Sequence, residues 1–462
     1  MTSPPRDEGR PSGGSARRVE LALLTTRTGV NFLAHQVRRF FVPAEKRPRF
    51  DEKFQLRTAA DVAEALGNMK GALMKVGQLA SYVDEGMPEA FRSALADLQQ
   101  DAPPMSPELA AQTVEDELGA APDRLFARWD PVPMAAASIG QVHKAIAHDG
   151  QELAVKVQYP GVDRAIRSDL SNAGFLFGVL GRMFPGIEPG PIVTEIRARL
   201  LEELDYEVEA DNQRLFADYY AGHPFISVPR VVERYSTARV LATELAEGAR
   251  FEEMERWSQQ ERDLAAEAIF RFVFGSIHRM HAFNGDPHPG NYLFRPGGRV
   301  SFLDFGLVKR FTDAEIATLQ GMAKAMAVDG DVAEFRGIIE RAGFIPPGQP
   351  FSNELVSDYF GHFFTFLVDD GPMTFTPEYA SETVRRLFDT SGPYAEIMRV
   401  GNAPPFAVVL QRINVGLLAI LGRLRATANW RAIAGDVWPF VGGPPATELG
   451  RMEVDWRAAS GR

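Results

Sequence analysis

The chain has 462 residues and no cysteine, with 50 Lys and Arg against 61 Asp and Glu, for a net charge of -11. This composition excludes disulfides, thiolate metal sites and cysteine nucleophiles, fits a reducing compartment, and argues against non-specific nucleic-acid binding, which needs excess positive charge. With 45% hydrophobic residues, a sizeable core across two or three domain-sized units is within reach.

Residues 1–18 are polar and rich in Pro, Gly and Ser. They lack the apolar stretch of a secretory signal and read as a disordered tail. Residues 19–41 alternate apolar and basic positions, ending in Val37-Arg-Arg-Phe-Phe41. They suit an amphipathic helix packed in a bundle or laid on an acidic surface such as a membrane. From Thr58, the residues Val62, Leu66, Met69, Leu73 and Val76 recur at helical steps. Lys75 and Gln78 share a neighbouring face with small residues that allow another backbone to approach. A solvent-facing Lys75 is equally compatible with that spacing. Residues 19–115 are therefore expected to form a helical extension.

Residues 132–145 read as a strand, a small-residue loop at Ala135-Ala136-Ala137-Ser138 and a second strand. Asp149-Gly150 is a hairpin turn, and Glu152–Gln158 alternates as a strand with Lys156 near its centre. A long helix is expected over 191–216, with an apolar stripe at Ile196, Leu200, Leu204 and Val208 and acids that include Glu203, Asp205 and Glu209. Two strand-like runs follow within 224–248, the second ending near Glu244 and Ala246. Residues 260–283 read as a helix, and 312–437 as mainly helical. Phe406–Leu421 is the most apolar run, but Gln411, Arg412 and Asn414 interrupt it, so it reads as a buried or interfacial helix rather than a membrane span.

Asp286-Pro-His-Pro-Gly-Asn291 and Asp304-Phe305-Gly306 carry the clearest chemistry. An acid five positions before an amide, then an Asp-Phe-Gly, is the arrangement kinases use for a catalytic loop and its metal site. Asp and Asn oxygens suit Mg2+, and a second Asp can orient a nucleophile. An isolated loop of Gly, Pro and Asp would be a mere turn; the joint pattern points to phosphoryl transfer. No Ala-Pro-Glu closes an activation segment, which counts against an ordinary protein kinase. His281 and His288 read as structural, since Mg2+ prefers oxygen.

Taken together, the stretches Lys75-Val-Gly-Gln78, Ala135-Ala-Ala-Ser138-Ile-Gly-Gln-Val, Glu203-Leu-Asp205 through Asn212, and Asp286 to Asn291 with Asp304-Phe-Gly306 resemble the UbiB (AarF) family of atypical kinases. The run Met69 to Lys75 looks closer to its ubiquinone-biosynthesis branch. The resemblance implies an α+β, protein-kinase-like two-lobe fold. Its parts would be the extension at 19–115, an N-lobe at 116–248, and a C-lobe at 249–462 with a mainly helical end. It implies ATP or ADP with Mg2+ as cofactors. Asn291 and Asp304 would hold the metal, and Asp286 would be the catalytic-loop acid. Lys156, set by Glu209, would take the phosphates. Ala135, Ala136, Ala137 and Ser138 would cover the nucleotide, while Glu244 to Ala246 would border the adenine. Lys75 would pair with Glu203 in an extension lying over the acceptor site. The implied function is an atypical kinase or ATPase that supports isoprenoid-quinone or membrane-lipid metabolism. Its expected partners are a quinone precursor or a lipid and no nucleic acid, and its expected location is the cytoplasm or the periphery of the inner membrane face. A lipid-like small-molecule phosphotransferase and a nucleotide-gated pseudokinase are the alternatives. One departure stands out: many members carry His two residues before the catalytic-loop Asp, and this chain has Asn284.

Lys75 and Glu203 provide a test. A buried pair broken on one side costs about 3–5 kcal/mol, and an exposed one about 0–1. Lys75→Ala and Glu203→Ala are expected to change thermal unfolding or nucleotide turnover strongly. The double variant should be less impaired than the sum. Additive, near-neutral effects would identify Lys75 as a solvated lysine.

Overall fold

The computed structural model describes residues 105–137, 139–162, 204–285, 287–388, 392–402 and 404–461. By internal packing the chain forms two units. The first comprises Met1–Ala121, Pro131–His143 and Lys156–Leu204; the second comprises Pro122–Asp130, Lys144–Val155 and Asp205–Arg462.

The first described helix, α1 (Pro107–Leu118), starts on Ser106, whose side chain accepts the Leu109 N–H, and stops at Gly119 with φ 78°. It spans the expected boundary at residue 115. Strands β1 (Arg128–Trp129), β2 (Ala135–Ala137), β3 (Gly140–Ile146) and β4 (Glu152–Gln158) follow. In β4, Leu153, Val155 and Val157 are fully buried on one face, and Lys156 lies half-buried on the other. Gly150, at φ 87°, makes the turn between β3 and β4 that the Asp-Gly pair announces. In the first unit the Met105 N–H donates to Gln141 Oε1 at 3.0 Å, and Gln141 Nε2 lies 2.9 Å from His143 Nε2. These buried polar groups are thereby satisfied.

In the second unit, helix α2 (Tyr206–Tyr219) begins where Asp205 accepts the Glu207 N–H at 3.0 Å. The continuous helix expected through this point does not form: Asp205 is extended, because a carboxylate at the N-cap satisfies a first-turn N–H only from outside the helix. The expected stripe is also rotated. Val208 is 37% exposed, whereas Glu209, Ala210, Gln213 and Phe216 face inward.

Strands β5 (Ile226–Ser227) and β6 (Val240–Glu244) match the two expected runs. Helix α3 (Gln259–Gly275) is buried along its C-terminal half and widens into a π turn over Ser276–Met280. His281 then takes φ 51°, so the helix ends before the expected 283 and strand β7 (Ala282–Asn284) begins. Strands β8 (Tyr292–Arg295), β9 (Arg299–Phe302) and β10 (Val308–Arg310) complete the region. The sheet orders are β1-β3-β4-β6 with β2 on β3, β5-β9-β8, and β10-β7.

Helices α4 (Asp313–Ala323), α5 (Val332–Arg341), α6 (Asn353–Phe360), α7 (Pro377–Phe388), α8 (Pro405–Leu424), α9 (Trp430–Val437) and α10 (Glu448–Ser460) make the rest of the second unit. The apolar run is the body of α8, with Ile413, Leu417, Leu421 and Leu424 buried. Among the described residues no helix is long and apolar enough to cross a membrane.

A Phe-rich core joins these parts. Phe272 of α3 stacks on Phe302 of β9, and Phe216 of α2 packs against both Phe272 and Phe305. The last helix is held by charge. Fully buried Arg271 reaches Glu267 at 2.7 Å, Asp436 at 2.6 Å and Glu453 at 3.0 Å, and Arg279 also donates to Glu453. A side chain at Gly450 would lie 2.5 Å from Asp436 Oδ2 and 2.7 Å from an Arg271 nitrogen, so only glycine fits there.

Beside this network His223 packs on Trp456, 4.4 Å between ring centres, and its Nδ1 accepts the Ile226 N–H at 3.0 Å. Burial, reinforced by the charges of Arg279 and Arg271, pushes its pKa down to about 3. The unfolded chain binds a proton here near pH 6.5, which the fold refuses. Stability is therefore full above about pH 6.5 and falls as pH drops toward 3, by about 1.4 kcal/mol per pH unit for one such histidine. Urea unfolding at pH 7 and pH 5 should show that loss. His223→Gln, which keeps an acceptor but cannot titrate, should reduce it; an unchanged pH dependence would contradict the assignment.

Candidate active site

The residues between β7 and β10 fold back on themselves. The β10–β7 pairing sets Val308 opposite Asn284 and Arg310 opposite Ala282. The Gly285 N–H donates to the Leu307 carbonyl at 2.7 Å, and the Leu303 N–H donates to the Asn291 carbonyl at 3.0 Å. The loop after β7 and the Asp304-Phe305-Gly306 turn are thus laced together at two rungs. A third tie comes from a side chain: Asn284 Nδ2 donates to the Asp304 carbonyl. Asn284 is buried, and its amide thereby joins the strand before the loop to the Asp-Phe-Gly turn. This accounts for the departure noted in the sequence.

Helix α2 fixes the turn from the other side. Phe305 is fully buried against Phe216, and Asn212 Nδ2 donates to the Phe305 carbonyl at 3.2 Å. Asp304 Oδ1 accepts the Gly306 N–H at 2.9 Å. A Cβ on Gly306 would lie 3.2 Å from Asp304 Oδ1 and 3.6 Å from Glu209 Oε2. Two carboxylates therefore converge on one glycine, and Glu209 is only 6% exposed. Negative charge gathered in a buried place favours a bound cation.

Asn291 lies at the end of a single 3-10 turn, Pro289–Asn291, which His288 caps by accepting the Gly290 N–H at 3.0 Å. His281 lies 3.1 Å from Asp313, and its carbonyl accepts the Phe311 N–H. Both histidines have the structural roles expected of them. Among the described residues no cluster of three His, Asp or Glu side chains forms a metal cage. Mg2+ needs none, because it takes one or two protein oxygens and keeps water and phosphate ligands. One carboxylate and one amide on laced backbones fit that ion.

Other expected site residues lie elsewhere. Lys156 is on β4 in the first unit, and Glu209 on α2 in the second. The Ala run is a strand rather than a loop. Ala135, Ala136 and Ala137 pair with Val142, Gln141 and Gly140, so the hairpin closes at residues 138 and 139. Small side chains permit this tight closure, and they leave little loop to serve as a lid. Glu244 ends β6, with its N–H on the Arg230 carbonyl and its Oε2 accepting the Arg230 N–H at 3.1 Å. The Leu245 N–H donates to the Glu152 carbonyl, and Ala246 follows in extended chain. Lys75, Ser138, Glu203 and Asp286 lie outside the described residues.

Sequence reasoning missed the contributions of Asn212, Asn284 and Gly416. Asn212 stands three residues after Glu209 and four before Phe216, a helical face that mixes an acid, an amide and an aromatic ring. At Gly416 of α8 a Cβ would lie 2.3 Å from Pro287 Cγ, so this helix backs directly onto the loop.

Residues 97–337 match the ABC1 atypical kinase-like domain. The chain is 34% identical over 268 residues to a chloroplastic aarF domain-containing protein kinase of Arabidopsis thaliana, covering 57% of this chain and 37% of that protein. It is thus less than half as long as that relative over the shared part. It is 29% identical over 392 residues to the mitochondrial atypical kinase COQ8B of Rattus norvegicus, covering 82% of this chain and 72% of that one. Among solved structures, Rv3197 of Mycobacterium tuberculosis in complex with erythromycin is similar at 30% identity and a TM-score of 0.63, covering 86% of this chain and 100% of that one.

Asn284→Ala would leave the Asp304 carbonyl without its side-chain donor, at a cost of about 1–3 kcal/mol. Urea melts should register that loss. Asn284→His, which restores a ring N–H, should recover part of it. Equal stability of wild type and Asn284→Ala would remove Asn284 from the lacing.

Proposed function

The chain belongs to the ABC1 atypical kinase-like family, and from that premise we propose that it is a Mg2+- and ATP-binding atypical kinase or ATPase of the UbiB type. The observation that carries this reading is the lacing of the Asn291 and Asp304 backbones, with Glu209 and Asp304 converging on Gly306. In this reading Asn291 and Asp304 hold the ion, Lys156 takes the nucleotide phosphates, and the β2–β3 hairpin with Ser138 covers them. The segment from Glu244 to Ala246 borders the adenine through its backbone. Asp286 orients the attacking group, and Lys75 with Glu203 restrains the acceptor side. Bound Mg2+ would neutralise phosphate charge and orient the group being transferred.

The protein's own part is positioning. Phe305, locked in the core, prevents the Asp304 turn from rotating, so its carboxylate needs little reorganisation when a charged ligand arrives. The UbiB resemblance extends the reading to support of isoprenoid-quinone or membrane-lipid metabolism at a membrane periphery. Relatives named as atypical kinases, two of them mitochondrial, support the kinase-type chemistry. A second reading, a nucleotide-gated binder of a lipid-like ligand, draws support from the relative solved with erythromycin.

Asp304→Asn exchanges a charged oxygen ligand for a neutral one and should weaken Mg-dependent ATP binding at least tenfold in calorimetric titrations. Undiminished Mg-ATP affinity in the folded variant would end the assignment. Turnover measured with and without liposomes separates the readings. Lipid-raised hydrolysis supports the ATPase, labelled phosphate on an added lipid supports the transferase, and tight binding without turnover supports the regulatory binder.

A further inference from the structure

The helical end of the second unit encloses a cavity of about 280 Å3 between α3, α4, α6, α8 and α9. Protein interiors are close-packed, with few voids larger than one water. This volume is the bulk share of about nine waters. Its walls are predominantly aromatic and aliphatic, with Phe270, Phe274, Phe360, Phe364 and Trp438 among them. No Lys, Arg, Asp or Glu lines it. A cavity of this kind holds water poorly and suits an apolar guest.

The wall is not uniformly apolar. His278 lines it, and the buried Nδ1 of that ring has no hydrogen-bond partner. Burial, with the neighbouring charge of Arg279, pushes the His278 pKa down to about 4, so the ring is neutral at pH 7 and offers one donor and one acceptor. Gln411 and Asn414 of α8 contribute two amides to the same lining. A buried polar atom without a partner is costly and rare in native proteins.

Both polar walls lead to the catalytic loop. His278 lies in the π turn Ser276–Met280, which runs through His281 at φ 51° into β7 and on to Gly285. π turns of this sort gather at functional sites. Asn414 lies two residues before Gly416, the glycine pressed against Pro287 of that loop. A guest that sets the position of α8 and the π turn therefore bears on the loop through packed atoms.

We propose that this cavity is a binding site for a neutral amphiphile, a hydrocarbon or ring-bearing body with one hydroxyl-type head that meets His278, and that its occupancy stiffens the catalytic loop. The site is built from elements other than those that hold Asp304, and the proposal stands whether or not nucleotide turnover is found.

The probe is 1-decanol, with decane and decanoate as controls. Binding is followed by tryptophan fluorescence and calorimetry on the full chain. Decanol is expected to saturate at one equivalent, decane to bind about tenfold more weakly, and decanoate not to bind, since the cavity has no cation. Ala407→Phe, which fills the cavity, should lower decanol affinity at least tenfold while keeping cooperative unfolding. Leu319→Phe, on the opposite wall, serves if that variant does not fold. His278→Phe should cost decanol about tenfold and leave decane unchanged. Hydrogen exchange over residues 282–291 should slow in saturating decanol, and not in the filled variant. Unchanged decanol binding in the filled variants overturns the site, and unchanged exchange at saturation overturns its coupling to the loop.

Discussion

Two backbone hydrogen bonds, from Leu303 to Asn291 and from Gly285 to Leu307, are the constraint on which the rest of the site depends. They hold a loop rich in Pro and Gly, with little regular structure of its own, against a strand pair rooted in the core. Each bond is worth only about 1 kcal/mol in isolation. Their value here is positional, because they bring two distant stretches of chain to one register. The Asn284 amide adds a side-chain rung, and Asn212 clamps the next carbonyl. With four ties on a short segment, a carboxylate and an amide can face one ion without paying heavily for ordering when it binds.

The Phe-rich core and the buried arginine network support this lacing from behind. Phe302, one residue before Leu303, stacks on Phe272 of α3, and Phe305 packs on Phe216 of α2. The same helix α3 carries Arg271, whose three carboxylate partners come from α3, α9 and α10. Burying one cation among several acids is favourable only when nearly all its donors are matched, as they are here. The C-terminal helix is thereby attached to the helix that buttresses the site. A change far along the chain, as at Gly450, would be felt where the loop is anchored.

Helix α8 has a double role. One stretch is core, with Ile413, Leu417 and Leu421 buried, and another lines a cavity with amides. Its glycine at 416 lets it approach Pro287 more closely than any side chain would allow. The polar interruptions that keep the Phe406–Leu421 run from reading as a membrane span are thus set where an apolar cavity needs polar contacts.

How much of this was legible before the structure differs from element to element, for physical reasons. Local patterns sufficed where one residue type dictates one geometry. The Asp-Gly turn before β4, the alternation around Lys156, and the Asp-Phe-Gly with its upstream Asn were all readable, as was the family. Patterns failed where a side chain served an unexpected partner. Val208 has the apolar character of a core residue and is exposed, while Glu209 is buried, because the turn at Gly306 packs on that face of α2. The Ala run became a strand because β3 offered it a pairing edge. Asp205 left its helix to cap it. The sequence by itself determined the chemistry available, the oxygen ligands, the kinase-like order of strands and helices, and the absence of thiols. The tertiary structure alone decided which acid is interior, which asparagines bind carbonyls, and where an apolar helix leaves a cavity. Those outcomes depend on contacts between residues tens to hundreds of positions apart, and no local periodicity encodes them.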